Sequence, residues 1–426
     1  MRPGLCLALA FGFVAGGCVF RDVREQQREI DAACVVAGSV ATQDELQGPI
    51  VVTLARRADD GAWRAVDNFV LEGKGRWVFV APPGAYGLAA FEDVNRDLQY
   101  QPGEAFALID PSGPIRCTAG ARLTDFTLRV PEKSEGRLDA TFDVSRLEPR
   151  DPSSREYATL GQLTSLGEVT ALSHARFDDD NARSGMWRPL DFVVAGYAGV
   201  YFLEPYDPRK IPVLFVHGIN GTPANFSYLI EHLDRTRFQP WVYYYPSGAH
   251  LGNVARHLDQ SIVKLSLRHD VRRIAVVAHS MGGLVARGFV LQHQGRADPT
   301  QIVAFVTIST PWNGHAAAEL GVKNAPAVVR AWEDIAPGSE YLRGLYARPV
   351  PGEPPHHLIF TFERRASSFG PSDDQTVTVA SQLAAPAQRN ATRVYGFDAT
   401  HMSVLRDPEA AALVNQVLSR ALDPAR

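Results

Sequence analysis

Residues 276–283, VVAHSMGG, constrain the fold more than any other part of the sequence. An apolar run typical of a buried strand ends just before Ser280, and a run typical of a helix starts just after it. Strands and helices that follow each other this closely are typical of a parallel sheet covered by helices. Ala278 and Gly282 are small, as a sharp turn that brings neighbouring backbone close to Ser280 requires. On its own, the pattern also fits a serine that merely caps a helix.

The C-terminal half repeats this alternation. Thr222 followed by Pro223 is a typical helix start, and the last amphipathic helix ends near residue 422. Apolar strands are predicted at 213–216, 239–245, 274–278, 303–308, 358–362 and 393–395. We therefore predict an α/β fold with a doubly wound, mostly parallel sheet.

Residues 34–131 have a different pattern of apolar and polar residues. Short β-rich runs separated by turn residues predict a small all-β sandwich before the α/β domain. The predicted strands are 35–42, 50–57, 63–71, 76–81, 86–91, 105–109 and 123–130. Within this module, residues 93–104 place oxygen-bearing side chains at positions 1, 3, 5 and 12 of a possible calcium loop, but Leu98 occupies the position that needs glycine. A solvated turn and a calcium site both stay open, and no metal site is assigned.

The first residues combine Arg2, an apolar run over 5–14 and the small residues 15–17 before Cys18. This order is typical of a secretory signal peptide, and the run is too short to span a bilayer. Its end resembles a bacterial lipobox, which implies cleavage before Cys18 and lipidation of the Cys18 thiol. An unlipidated signal cut nearby is the alternative. Because Val19 is not the aspartate that favours inner-membrane retention, we expect a lipid-anchored protein of the bacterial cell envelope, at the outer membrane.

Removal of Cys6 with the signal peptide and lipidation of Cys18 leave two cysteines, Cys34 and Cys117, and an oxidising compartment favours a disulfide between them. Two buried free thiols are the alternative. The chain has no CxxC spacing, and its net charge is −4, so a cysteine zinc site and a nucleic-acid partner are not predicted.

A second chemical signal precedes the Ser280 turn. Residues 213–216 form an apolar strand that ends in His217 and Gly218, with Gly221 nearby. Two backbone N–H groups fixed around a developing negative charge form an oxyanion hole. The amides of Met281, directly after Ser280, and of Ile219 are the predicted donors, while His217 is predicted to be structural.

Together, residues 213–221 and 278–287 resemble the α/β-hydrolase fold, in its serine lipase and esterase branch. The resemblance covers roughly 205–422 and implies a triad in the chain order serine, acid, histidine. Residues 398–405, DATHMSVL, resemble the segment of the catalytic histidine, which makes His401 the base. The family pattern Asp-Gly-x-Val, followed a few residues later by Ser-Gln, favours Asp374 as the acid. Residues 374–377 and Ser381-Gln382 match this register, with Gln375 in place of the glycine. Asp373 is the alternative acid, and Asp398 is expected to cap a loop.

The resemblance implies a cofactor-free serine hydrolase that cleaves carboxylic, lipid or thioesters through an acyl-enzyme. Acyl transfer by the same residues and a non-catalytic surface-binding role are the alternatives. The segment 315–356 is expected to form either a lid or core-packing helices. The predicted domains are a signal peptide (1–17), a tether that is either extended or a short helix (18–33), the sandwich (34–131), a linker (132–204) and the catalytic domain (205–426). The linker is expected to include entry strands at 187–192 and 198–203.

Overall fold

A computed structural model describes residues 7–42, 46–109, 113–131, 142–147, 159–296, 300–347, 352–363 and 372–422, with backbone alone for 7–18 and 142–147. The strands are β1 (Cys34–Thr42), β2 (Ile50–Arg57), β3 (Trp63–Leu71), β4 (Gly75–Ala81), β5 (Gly84–Glu92), β6 (Phe106–Leu108), β7 (Ile115–Cys117), β8 (Arg122–Val130), β9 (Phe142–Leu147), β10 (Ser165–Val169), β11 (Gly199–Phe202), β12 (Ile211–Val216), β13 (Phe238–Tyr244), β14 (Arg273–His279), β15 (Gln301–Ile308), β16 (His356–Phe362) and β17 (Arg393–Asp398). The helices are α1 (Leu7–Ala32), α2 (Leu160–Leu163), α3 (Asp179–Trp187), α4 (Pro189–Val194), α5 (Ser227–Glu231), α6 (Leu251–His269), α7 (Met281–His293), α8 (Ala316–Asn324), α9 (Arg330–Ile335), α10 (Glu340–Gly344), α11 (Val379–Gln382), α12 (Ala385–Asn390) and α13 (Pro408–Leu422).

The predicted fold class is confirmed. An eight-stranded sheet has the order β10-β11-β13-β12-β14-β15-β16-β17. The six strands from β13 to β17 in this order pair in parallel, while β11 pairs antiparallel with β13. Crossover helices therefore cover both faces, and the carboxyl ends of the parallel strands meet at one edge of the sheet.

Both faces of this sheet are buried, which explains its continuous apolar strands. In β14, Ile274 and Val276 point into a core shared with α6 and α7. Ala275 and Val277 point into a second core shared with α13. A strand with two buried faces has no polar alternation, because every side chain leaves water.

The N-terminal module consists of two packed sheets, β4-β1-β8 and β6-β5-β2-β3-β9, with β7 paired to β5. Side chains from both sheets, including Leu54, Trp77 and Leu88, form one core. Most pairs are antiparallel, but β1 with β8 and β3 with β9 are parallel. A disulfide joins Cys34 of β1 to Cys117 of β7 and so links the two sheets across the core.

The segment 132–204 differs from the expected linker with entry strands, although 132–141 and 148–158 lie outside the described residues. Residues 187–192, expected as strand, contain the end of α3 and most of α4. Pro189 starts α4, where its fixed φ and missing N–H suit a first helical turn. β10 and β11 are the first two strands of the large sheet, so that sheet begins well before residue 205.

Residues 18–33, expected as a tether or short helix, lie within and just after α1. From Val19 onward this helix packs on the α/β domain, and Val23 is buried in that domain's core. The Gln26 side chain accepts the N–H groups of Leu190 and Asp191, both at the start of α4. No helix in the described ranges is both long and apolar enough to cross a membrane.

The two modules are joined through α6. Gln260 accepts the Val70 N–H at 2.9 Å, and the buried Lys264 ammonium donates to the Asn68 carbonyl at 2.7 Å. Burial lowers the pKa of Lys264 and raises the pKa of Asp67, the nearby carboxyl of β3. These contacts fix β3 of the sandwich against the face of α6.

In the 93–104 loop, the carboxylates of Asp93 and Glu104 accept hydrogen bonds from backbone N–H groups of the same loop. The Asp93 carboxylate accepts the N–H groups of Asp97 and Leu98, and Glu104 accepts those of Val94 and Gln101. Leu98 has φ 64°, the left-handed conformation for which a calcium loop uses glycine. Among the described residues, no three or more His, Cys, Asp or Glu side chains are grouped so that they could hold a metal.

Candidate active site

Ser280 stands on the sharp turn between β14 and α7. Its φ of 55° and ψ of −133° are strained for a residue with a side chain. The backbone holds this geometry, because the Ser280 N–H donates to the Ile308 carbonyl at 2.8 Å. A Cβ at Gly282 would lie 2.3 Å from the carbonyl oxygens of Val216 and His217. The small residue predicted at this position is therefore required by the close packing of α7 on β12.

The predicted oxyanion donors lie on either side of Ser280. A Cβ at Gly218 would lie 2.8 Å from the Ser280 Cβ and 3.2 Å from its Oγ, so the loop after β12 passes directly over the hydroxyl. Ile219 follows Gly218 in this loop, and Met281 is the first residue of α7. Among the described hydrogen bonds, neither the Ile219 amide nor the Met281 amide donates to a protein acceptor. Both amides are therefore available to an external negative charge.

Buried contacts fix the loop that carries Ile219. His217 stacks on Tyr245 at 4.2 Å, and its Nδ1–H donates to the Gly218 carbonyl at 2.8 Å. Burial lowers the pKa of His217 to about 4, so the imidazole is neutral. The Asn220 N–H donates to the buried Ser247 hydroxyl at 2.9 Å. His217 thus has a structural position, as expected from the sequence.

Asp374 is completely buried after β16, and five donors surround its carboxylate. Oδ2 accepts from His401 Nδ1 at 2.8 Å, Thr361 Oγ1 at 2.6 Å and Gln382 Nε2 at 3.2 Å. Oδ1 accepts the backbone N–H groups of Thr376 and Val377. Burial alone would raise the pKa of Asp374, but the hydrogen bonds and the attraction to His401 outweigh it and lower this pKa.

His401 lies after β17, and two further contacts fix it beside Ser280. Its backbone N–H donates to the Asp374 carbonyl at 2.8 Å. Its own carbonyl accepts from Nε2 of His279, the residue directly before Ser280, at 2.9 Å. The described residues make no hydrogen bond between the Ser280 hydroxyl and the His401 imidazole; in a substrate-free site such a bond is often long. Ser280 and His401 are only 5% and 7% exposed.

The structure separates the two candidate acids. Asp373 is partly exposed, and its Oδ1 accepts the Gln375 N–H at 3.0 Å. Gln375 has φ 73°, which explains why the family pattern has glycine there. Asp398 is exposed at the end of β17. Of these carboxylates, Asp374 is the one described as bonded to the His401 imidazole.

Other histidines after Ser280 lie in different surroundings. His293 forms a second buried acid–histidine pair, with Nδ1 3.0 Å from Asp259. It ends α7, about 18 Å along the helix axis from Met281, the residue after Ser280. His356 bonds Thr307, and burial lowers its pKa to about 3. His315 caps α8.

Sequence reasoning missed three supporting residues. Thr361 and His279 carried no signal, since a strand threonine and a buried histidine are ordinary core residues. Gln382 was visible only as part of the Ser-Gln register after Asp374. Among the described residues of the segment 315–356, Val329, Ala331 and further apolar side chains of α8–α10 belong to the core shared with α6 and α7.

One family model and several solved structures are similar to this chain. The family described as "alpha/beta hydrolase fold" matches residues 211–351. A Bacillus licheniformis lipase in its mature form aligns with 15% identity and a TM-score of 0.40, over 51% of this chain and 97% of that chain. A Listeria innocua gene product aligns with 15% identity and a TM-score of 0.39, over 50% of this chain and 94% of that chain. An Aspergillus fumigatus lipase B aligns with 18% identity and a TM-score of 0.40, over 53% of this chain and 57% of that chain. No curated protein matches the sequence. The family match and the sheet topology together support the α/β-hydrolase superfamily.

Proposed function

We propose that this chain is a serine hydrolase that cleaves carboxylic esters, among them lipid and thioesters, through Ser280, Asp374 and His401. The observation that carries the proposal is the buried 2.8 Å bond from His401 to Asp374, in a histidine whose carbonyl is tied to the residue before Ser280. A fully buried carboxylate with a lowered pKa stays ionised at neutral pH and can orient an imidazole.

The chemistry follows from these positions. Asp374 holds the His401 proton on Nδ1, which leaves Nε2 as a base. His401 removes the Ser280 proton as Oγ attacks the ester carbonyl, and the carbonyl π electrons move to its oxygen. The free amides of Ile219 and Met281 stabilise that oxyanion in the oxyanion hole.

Collapse of the tetrahedral intermediate breaks the bond to the leaving group. His401 gives its proton to the departing alcohol or thiol, and the acyl group stays on Ser280. Water then attacks the acyl-enzyme, with His401 again as base, and releases the acid. All these steps use side chains and amides of this chain and need no cofactor.

We propose further that the enzyme acts at a membrane, anchored by lipid on Cys18 in the bacterial cell envelope, at the outer membrane. The supporting observation is the order of a basic residue, an apolar run, small residues and Cys18. A multiply acylated cysteine gives stable anchoring, because each buried methylene contributes about 0.8 kcal/mol. Small-molecule esters and membrane lipid esters are the corresponding substrates.

A panel of p-nitrophenyl esters of increasing acyl length tests the activity. We expect hydrolysis by the unmodified chain, none by Ser280→Ala, and unchanged hydrolysis by Ser266→Ala, a matched control on α6. Ester exchange with an added alcohol but no hydrolysis would indicate acyl transfer. Inactivity of the folded chain towards every ester would favour a non-catalytic binding role.

The anchor has its own test. We expect the native chain to fractionate with membranes and Cys18→Ser to appear in the soluble fraction. Unchanged membrane fractionation of Cys18→Ser would exclude lipidation as the anchor without affecting the esterase proposal.

A further inference from the structure

Helix α1 is docked on the α/β domain along its described side chains. Val23 is 3% exposed within the main core. On one side, Gln26 donates to Asp191 at 3.0 Å and caps the start of α4. On the other side, Arg24 and Gln27 donate to the carbonyls of Pro326 and Val328, in the segment between α8 and α9. The helix therefore contacts two separate connections between strands of the large sheet, and these contacts fix its orientation on the α/β domain.

An apolar surface lies at the first described turn of this helix. Phe20 packs edge-on against Trp187 at 6.1 Å, and Trp187 packs edge-on against Trp332 at 5.8 Å. All three rings are only partly buried. Trp332 also lies against Gly321 of α8, where an added Cβ would approach its ring to 2.7 Å. Leu320, the neighbour of Gly321, is 61% exposed. We call the Phe20, Trp187 and Trp332 rings the aromatic cap face; the exposed Leu320 lies next to it in α8, one residue before Gly321.

One residue of the aromatic cap face, Trp187, is linked to the candidate active site through its chain neighbour Met186. Met186, directly before Trp187, has its sulfur 3.9 Å from the Ser247 hydroxyl. That hydroxyl accepts the Asn220 N–H, next to the predicted oxyanion donor Ile219. Two contacts, Met186 with Ser247 and Ser247 with Asn220, thus join the residue next to Trp187 to the loop beside Ser280.

The position of the proposed anchor indicates which surface the aromatic cap face contacts. Cys18 precedes Phe20 by two residues in the same helix, a rise of about 3 Å. Acyl chains attached at Cys18 would therefore hold Phe20 at the depth of the lipid headgroups, with no flexible spacer between anchor and enzyme. Partly exposed tryptophan and phenylalanine are the side chains that favour this interface.

We propose that the aromatic cap face lies on the surface of a lipid bilayer and holds the candidate active site against the membrane. This inference rests on the proposed lipid anchor and goes beyond it. In this arrangement α1 fixes the orientation of the α/β domain on the bilayer, and the enzyme binds ester substrates from the membrane surface.

Fluorescence of the membrane-reconstituted full chain tests this orientation. Leu320→Cys carries a nitrobenzoxadiazole dye, and Val394→Cys, exposed on the edge strand β17, is the matched control. With Cys6 removed with the signal peptide, Cys18 acylated and Cys34 bonded to Cys117, the introduced thiol is the labelling site. On phosphatidylcholine vesicles containing phosphatidylglycerol, we expect a blue shift and a several-fold rise in emission at position 320, and no change at position 394.

A flexible Gly-Ser insertion between Val19 and Phe20 separates anchoring from orientation. We expect this variant to float with the vesicles but to lose most of the position 320 signal. Equal signals at 320 and 394 in vesicle-bound protein would overturn the orientation and leave the anchor intact. Failure of the native chain to bind vesicles would overturn both. A position 320 signal that rises with protein concentration without vesicles would assign the face to a second copy and also overturn the proposal.

Discussion

Replacing Asp374 with asparagine tests the proposed triad at its most constrained group. The carboxylate is fully buried and accepts five hydrogen bonds, three on Oδ2 and two on Oδ1. Asparagine has almost the same shape but one acceptor oxygen and one NH₂ group, which can only donate. Either orientation of the amide therefore places a donor against donors.

The two orientations have different costs. With the amide oxygen at the Oδ1 position, His401 loses its acceptor and is no longer held with its proton on Nδ1. With the oxygen at the Oδ2 position, the N–H groups of Thr376 and Val377 lose theirs, at about 1–3 kcal/mol for each orphaned buried donor. We expect kcat to fall about 10⁴-fold, the loss known for the equivalent change in another Ser-His-Asp enzyme. That loss corresponds to about 5 kcal/mol of transition-state stabilisation.

The assay is steady-state hydrolysis of the best p-nitrophenyl ester, with urea unfolding measured in parallel. Asp373→Asn is the matched control, because its carboxylate is partly exposed and adjacent in sequence. We expect the kcat of Asp373→Asn to stay within about twofold of that of the unmodified chain. Its free energy of unfolding should change little, since surface changes seldom shift it by more than about 0.5 kcal/mol. A folded Asp374→Asn variant with nearly full activity, or a larger loss for Asp373→Asn, would refute the assignment.

Three further predictions concern stability, each measured by urea unfolding. Gln375→Gly should raise the free energy of unfolding by up to about 1 kcal/mol, because Gln375 has a left-handed φ of 73°; a loss would contradict this. Replacing both Cys34 and Cys117 with alanine should lower it by about 2–5 kcal/mol, and an unchanged value would show that the disulfide does not contribute. Burial lowers the pKa of four histidines to about 3 or 4 in the folded chain, whereas in the unfolded chain they bind protons near pH 6.5. The free energy of unfolding should therefore be highest above pH 6.5. It should fall as the pH is lowered towards 4, by about 1.4 kcal/mol per pH unit for each histidine. A flat profile from pH 6.5 to 5 would contradict that burial; the histidines are His217, His257, His279 and His356.

The strands and the Ser280 turn could be predicted because their signals are local. All six strands predicted for the α/β domain occur, within a few residues of their expected bounds. A buried parallel strand needs a continuous apolar run, and a tight strand-to-helix turn needs small residues around Ser280. The same locality explains why the register around Asp374 was visible in the sequence.

The remaining features depend on tertiary contacts. Residues 187–192 have a composition suited to a strand, but Pro189 and the burial of Phe192 on the sheet make them helical. The docking of α1 depends on Gln26 meeting the start of α4, more than 160 residues away. Nothing in the polar sequence of 18–33 indicates that contact, because its partner is distant in the chain.

The central claim is that Ser280 is the nucleophile, and covalent labelling tests it most directly. The chain is incubated with a fluorophosphonate, digested and analysed by mass spectrometry. We expect a phosphonyl group on the peptide of Ser280, at one site per chain, and none in Ser280→Ala. A folded chain that stays unlabelled, or that is labelled at a different serine, would contradict the account.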